Sequence, residues 1–339
     1  MSLVKNWRFW LGLAISAVCL WLALHSVPLA ELPHLMAGMN LLWLAPILIL
    51  QLLAVITRAK RWVIVLSKED RLAESFWAQG VGYLFTNVLP LRMGEPARVI
   101  VMSERCQLPV VQVAASAIVE RLLDVATIVF VLVLLLPWMQ IPALVTRAGM
   151  TFGAFILLAC VMLVLAVKLS DRVEILLRAV CRRFPRLPQE ALIARWHELV
   201  NGLAPLTRWK TALRIIGWSL LTWACSIAID WCVILAFQPR GTAIEAAFMV
   251  VALSLAVTVP SSPGFIGVFQ LVGQQALVLP FGGKYDSAIA LAITLMAHIV
   301  YYFITTVLGI LGLWRLGESF VHLWQAIRPG PRAQVRTSS

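Results

Sequence analysis

Residues 74–105 read ESFWAQGVGYLFTNVLPLRMGEPARVIVMSER, and this stretch decides the architecture. An apolar run of helical composition stops at Leu89-Pro90-Leu91-Arg92-Met93-Gly94-Glu95-Pro96 and resumes as a shorter helical stretch. Proline removes a backbone donor and glycine permits a sharp turn, so the run divides there. Neither part reaches the ~20 residues that a bilayer-spanning helix needs. Two short segments joined by a Pro/Gly turn read as a re-entrant hairpin, whose irregular backbone must be buried in protein or line a polar cavity. Residues 242–280 have the same form, with their break at Val259-Pro260-Ser261-Ser262-Pro263-Gly264.

The rest of the chain fits a membrane setting. Hydrophobic residues make up 61% of its 339 residues and charged residues 13%, against roughly 45–50% and about 25% in soluble domains. So few charges cannot cover a soluble globe, which excludes an ordinary soluble enzyme and a disordered chain. Fourteen tryptophans suit the membrane–water interface. Six scattered cysteines, none in a CxxC, read as small buried hydrophobes rather than metal ligands or disulfides.

Six uninterrupted apolar runs are long enough to span, at 7–27, 41–66, 108–137, 147–168, 211–236 and 285–313. If the N-terminus is cytoplasmic and each hairpin returns to the face it comes from, 24 of the 28 Lys and Arg fall on the cytoplasmic side. Only Arg147, Arg240 and Lys284 then lie outside, with Arg121 inside a span. The net charge of +12 is thereby explained by the positive-inside bias rather than by a nucleic-acid partner. The fold expected is an all-α polytopic membrane protein with six full spans and two re-entrant broken-helix hairpins, and both termini cytoplasmic.

Pro90 and Pro260 are 170 residues apart, as are Gly94 and Gly264, and the same offset carries 41–66 onto 211–236. Each half, 7–137 and 147–313, is then span, span, hairpin, span. Three crossings are an odd number, so the halves form inverted repeats, an arrangement that places a substrate site near the midplane of transporters. Residues 1–315 read as one integral membrane domain and 316–339 as a cytoplasmic tail. Between the halves, 169–209 carries Arg172, Arg178, Arg182, Arg183, Arg186 and Arg195, with Ile175, Leu176, Val180, Leu192 and Leu199 between them. Pro185 and Pro188 divide it into two short amphipathic helices suited to an anionic inner leaflet.

The candidate substrate-binding residues lie at the first break and in the third span. Asn87, Arg92, Glu95 and Arg98 surround the break. Glu95-Pro96 suits a helix start, because proline is tolerated at the first helical position and an acid favours the N-terminal dipole. Equally, Arg92 and Arg98 facing a cavity would bind phosphate through the guanidinium fork. Glu120, Arg121 and Asp124 lie 12–16 residues into 108–137, at roughly 18–24 Å of helix rise. Each costs about 2.5–3.5 kcal/mol at such depth and so faces the protein interior or a wet cavity. Arg121 and Asp124, at i and i+3, can pair, either to lock helices together or to bind substrate. His298 reads as a hydrogen-bonded packing residue, and Gln270, Gln274 and Gln275 follow the second break. No Walker A, DxD, HExxH or GxSxG motif is present, and nothing in the sequence calls for a cofactor or metal.

Asn87-Val-Leu-Pro90-Leu-Arg92-Met-Gly94-Glu95-Pro-Ala-Arg98 and Glu120-Arg121-Leu-Leu-Asp124 resemble the lysylphosphatidylglycerol synthase transmembrane-region family, also called flippase-like integral membrane proteins. Pro263-Gly264-Phe-Ile-Gly267-Val-Phe-Gln270 is similar to the family's Pro-Gly-Gly-x-Gly-x-x-Glu, with Phe265 and Gln270 replacing a glycine and the glutamate. The resemblance covers roughly residues 7–315. It implies translocation of an anionic phospholipid or lipid-linked phosphate across a bacterial inner membrane, or, alternatively, an accessory subunit or transferase acting on lipid-phosphate substrates. Membrane lipids are the partners it implies.

Overall fold

The computed structural model describes residues 7–25, 27–28, 30–89, 93–138, 165–184, 188–258, 261–281 and 283–327, with isolated positions between 151 and 162. The expected span 147–168 lies mostly outside the described residues, as do Pro90, Leu91, Arg92, Val259, Pro260 and residues 328–339 of the tail. The described residues are helical, with no strand among them. In chain order the helices are α1 (Trp7–His25), α2 (Leu32–Ala37), α3 (Leu44–Val65), α4 (Leu72–Val88), α5 (Gly94–Cys106) and α6 (Val110–Leu135). They continue as α7 (Ser170–Arg183), α8 (Gln189–Leu203), α9 (Trp209–Phe237), α10 (Ala243–Ala256), α11 (Val268–Val278), α12 (Ser287–Leu316) and α13 (Phe320–Ile327).

Among the described residues, three stretches are long and apolar enough to cross a membrane: Leu41–Val65, Trp209–Phe237 and Ser287–Leu316. Their starts are set locally. Asn40 accepts from the Leu42 amide at 3.0 Å and Asp286 from the Ile289 amide at 2.8 Å, each satisfying a donor that the first turn leaves free. α6 is also long, at 26 residues, but Glu120, Arg121 and Asp124 interrupt its apolar sequence. Around the bundle, large apolar side chains such as Ile49, Phe303, Ile310 and Trp314 point outward. So large an exposed apolar surface is a lipid-facing one.

Both expected breaks are present as helix, break, helix. α4 and α5 fold back on each other so closely that a β-carbon on Gly94 would collide with the Gly82 carbonyl. α10 and α11 form the second such pair, and Gly264 in its turn has φ +68, a left-handed conformation open to glycine. The two breaks meet. A β-carbon on Gly264 would lie 2.7 Å from the Tyr302 ring and 3.5 Å from the Asn87 carbonyl oxygen.

The long helices pack in antiparallel pairs. From one end of the α3–α9 contact to the other, Asn40 N bonds Ala236 O at 2.8 Å, Thr222 Oγ1 bonds Thr57 Oγ1 at 3.0 Å, and Arg214 Nη2 bonds Glu69 Oε2 at 2.7 Å. α4 lies against α12 through Gly80, Gly309 and Gly312. A β-carbon on Gly80 would sit 2.8 Å from Leu308 O, and one on Gly312 2.8 Å from Trp77 O. Small residues let helix backbones approach where lipid supplies no hydrophobic drive for association. The linker forms the two expected helices, α7 and α8. α7 keeps Ile175, Leu176 and Val180 exposed, whereas α8 packs on α6, with Gly202 against Gln112 and Ala115.

Candidate functional site

α6 places Glu120 and Asp124 one turn apart on its buried face, with Arg121 beside them. α3 brings Arg61 to both carboxylates: Nη1 donates to Asp124 Oδ1 at 2.7 Å and Nη2 to Glu120 Oε1 at 3.3 Å. α5 begins at the first break and presents Glu95 and Arg98. Arg98 Nη1 donates to Glu120 Oε2 at 2.6 Å and Nε to Glu95 Oε2 at 2.9 Å. Arg121 pairs with Glu95 and, at 3.4 Å, with Asp124. Six side chains thus alternate in sign around a closed ring, in the order Arg61, Glu120, Arg98, Glu95, Arg121, Asp124.

The surroundings hold this ring in shape. Ser219 of α9 accepts from Arg61 Nη1 at 3.2 Å, and Trp223 Nε1 donates to Asp124 Oδ1 at 3.3 Å. The Arg98 guanidinium lies 4.5 Å above the Trp62 ring, and Trp62 Nε1 donates to Ser116 Oγ at 3.0 Å. One side of the ring is sealed, with the side chains of Arg61 and Glu120 each 1% exposed. The other side is open, with Arg121 49% and Glu95 33% exposed. Buried charges are tolerated where each meets an opposite charge with good geometry, and three guanidinium groups against three carboxylates leave the ring neutral. The open edge can exchange a carboxylate contact of Arg121 for the oxygens of an incoming anion.

The structure brings together Glu95, Arg98, Glu120, Arg121 and Asp124 of the residues expected from sequence. Arg98 does not present a free fork, because both of its edges are held by carboxylates in the interior. Arg92 lies outside the described residues. Asn87 sits apart from the ring, its Nδ2 donating to Thr305 Oγ1 and Thr306 Oγ1 at 3.0 Å each, which ties the first hairpin to α12. Gln270 is also apart and buried. Its Oε1 accepts from the Gly267 amide at 2.7 Å, and its Nε2 lies 2.8 Å from His298 Nδ1. His298 Nε2 in turn meets Gly264 O at 2.9 Å, so this histidine is the hydrogen-bonded packing residue expected.

Two arginines were missed. Arg58 and Arg61 read as cytoplasmic charges at the end of a span, yet Arg61 is fully buried as a member of the ring. A signal existed: both lie inside the expected span 41–66, and five apolar residues, Trp62 to Leu66, follow Arg61.

The family model described as the lysylphosphatidylglycerol synthase TM region matches residues 9–309, most of the chain and every residue of the ring. The chain belongs to the lysylphosphatidylglycerol synthase transmembrane-region family. No curated protein and no solved structure matches it. Membership supports an integral membrane protein with a lipid-related function, and the charged ring lies within the matched segment.

Proposed function

We propose that the protein is a lipid translocator that carries an anionic or lipid-linked phosphate headgroup across a bacterial inner membrane. The observation that carries the reading is the ring of Arg61, Glu120, Arg98, Glu95, Arg121 and Asp124, built on apolar helices and open along Arg121 and Glu95. Ionisable groups at membrane depth mark substrate or ion pathways. Arg121 and Arg92 are the proposed headgroup contacts, with Glu95, Arg98, Glu120 and Asp124 holding Arg121 in place, and Asn87 and Gln270 fixing the two breaks that flank the path.

The topology proposed is six spans and two re-entrant hairpins in inverted halves, with both termini cytoplasmic. Two relationships support the inversion. α3 and α9, which the 170-residue offset superposes, run antiparallel against each other. The offset also carries α4 onto α10 and α5 onto the neighbourhood of α11. Inverted halves meeting at broken helices can expose one site alternately to each face by rocking against each other.

The test is translocation of a fluorescent phosphatidylglycerol by the purified protein in liposomes, read by quenching of the outer leaflet. Accelerated loss of inner-leaflet protection relative to empty vesicles is expected. A rate equal to that of empty vesicles removes the translocator reading and leaves an accessory or transferase role on lipid phosphates.

A further inference from the structure

We propose that Arg58, with the hydroxyls of Tyr83 and Tyr301, forms a binding site for a single phosphodiester. This deepens the translocator reading, and rests on it for the expectation that the phosphate is lipid-borne.

Arg58 stands one turn before Arg61 on α3, within the apolar stretch Leu41–Val65. It is half-buried, and among the described residues it makes no hydrogen bond or ion pair. The six charges of the neighbouring ring are all paired, so among the described residues Arg58 is the unpaired cation of the assembly. It lies within Coulombic reach of Asp124 and Glu120, whose oxygens are already engaged by Arg61, Arg98 and Arg121. Val55, three residues before Arg58 on α3, packs in one cluster with Tyr83 of α4 and with Val300 and Ile304, which flank Tyr301 on α12, and Arg58 is within Coulombic reach of both tyrosines. These rings meet edge to face at 6.2 Å, both are half-buried, and neither hydroxyl has a hydrogen-bond partner among the described residues. Arg121, at the open edge of the ring, is electrostatically coupled to Tyr83 as well.

The site is therefore rich in donors and, among the described residues, has no uncommitted carboxylate. A guanidinium offers five N–H groups in a fork that matches phosphate oxygens, and two phenols add two more donors. An isolated guanidinium in a membrane span is costly, and an anion relieves that cost. The charge balance selects the class. Among the described residues, a neutral ring plus Arg58 leaves one positive charge, which a phosphodiester with one negative charge neutralises. A zwitterionic headgroup adds a cation for which the site holds no free acid.

The test measures binding rather than transport. Full-length protein in detergent is titrated with fluorescent phosphatidylglycerol, phosphatidylcholine and, as a soluble competitor, inorganic phosphate. Arg58→Gln is expected to weaken phosphatidylglycerol binding at least tenfold, and Arg58→Lys by a smaller factor, because the charge remains but the fork is lost. Arg208→Gln, at an exposed loop position, is expected to change it less than twofold. Phosphatidylcholine should bind wild type weakly and respond little to Arg58→Gln. If Arg58→Gln fails to fold, the Tyr83→Phe/Tyr301→Phe pair decides, with a threefold or greater loss expected and an unchanged melting temperature. Unchanged phosphatidylglycerol binding in the variants overturns the site. Displacement by millimolar inorganic phosphate keeps the phosphate site and overturns its lipid origin. Wild-type protein that binds in this pattern but does not translocate upholds the site and removes the translocator reading instead.

Discussion

Arg61 Nη1 and Asp124 Oδ1 lie 2.7 Å apart although 63 residues separate them in sequence, and both side chains are buried. The contact joins α3 to α6. Through Glu120 and Arg98 it also reaches α5, and hence the first break. The ring fastens three helices together and at the same time positions the break beside it, so its stability and its proposed function are coupled. Four expectations follow from the geometry of this region and its supports.

Asp124→Asn removes the nearest partner of a buried guanidinium, and breaking such a pair typically costs about 3–5 kcal/mol. Arg121→Gln removes a half-exposed charge whose partners keep other contacts, where a loss of about 1 kcal/mol or less is expected. Thermal melting in detergent should therefore drop sharply for Asp124→Asn and little for Arg121→Gln. Equal drops would mean that Arg121 is as much a part of the fold as Arg61.

Gly309→Ala places a β-carbon 2.6 Å from the Gly80 carbonyl oxygen, where only backbone movement makes room. Overpacking of this kind typically costs about 1–3 kcal/mol. Gly217 has open space around its β-position within α9, so Gly217→Ala should be neutral or raise stability by about 0.5–1 kcal/mol, the helical preference of alanine. The yield of folded protein by size-exclusion chromatography should separate the two, and comparable yields would argue against close packing of α4 on α12.

A reporter fused after Ser339 should read as cytoplasmic and one inserted near Gly283 as periplasmic. Both follow from six crossings with hairpins that return to the face they leave. A periplasmic signal from the C-terminal fusion removes the six-span arrangement.

Glu69, in the turn after α3, accepts hydrogen bonds from Arg214 at 2.7 Å and Lys60 at 3.0 Å. These two donors lower its pKa from 4.5 to about 2. A carboxylate whose pKa is depressed on folding contributes stability above the unfolded-state value and loses it as pH falls through the folded-state value. Wild type should lose stability between about pH 4.5 and pH 2, beyond the loss seen in Glu69→Gln. Because Glu69 is largely open to solvent, the difference will be small and reduced by salt. Parallel pH–melting curves for the two proteins would show that the α3–α9 end contact contributes nothing.

The amino-acid sequence alone determined the membrane class, the two Pro/Gly breaks, the two linker helices and the place of Glu120, Arg121 and Asp124 well inside a long, mostly apolar helix. These follow from chain-local quantities: the length of apolar runs, the missing amide of proline, and the cost of charge far from a helix end. Even the i, i+3 contact of Arg121 with Asp124 was legible, because helical rise and turn place those residues on neighbouring positions.

Which charges meet was decided only by the tertiary structure. Asp124 has a closer partner in Arg61 than in Arg121, 2.7 Å against 3.4 Å. Arg98, expected as a free phosphate ligand, is closed off by Glu95 and Glu120. Arg58, expected as one more cytoplasmic charge, is left without a protein partner among the described residues. Charge counting assigns an arginine near the end of a span to the nearer face and carries no information about which side of the helix it occupies. That side is fixed by how α3 lies against α6 and α9, through contacts such as Thr57 with Thr222 and Arg61 with Ser219, more than 150 residues apart. Ion pairs are set by distances in space, and those distances exist only once the helices have packed.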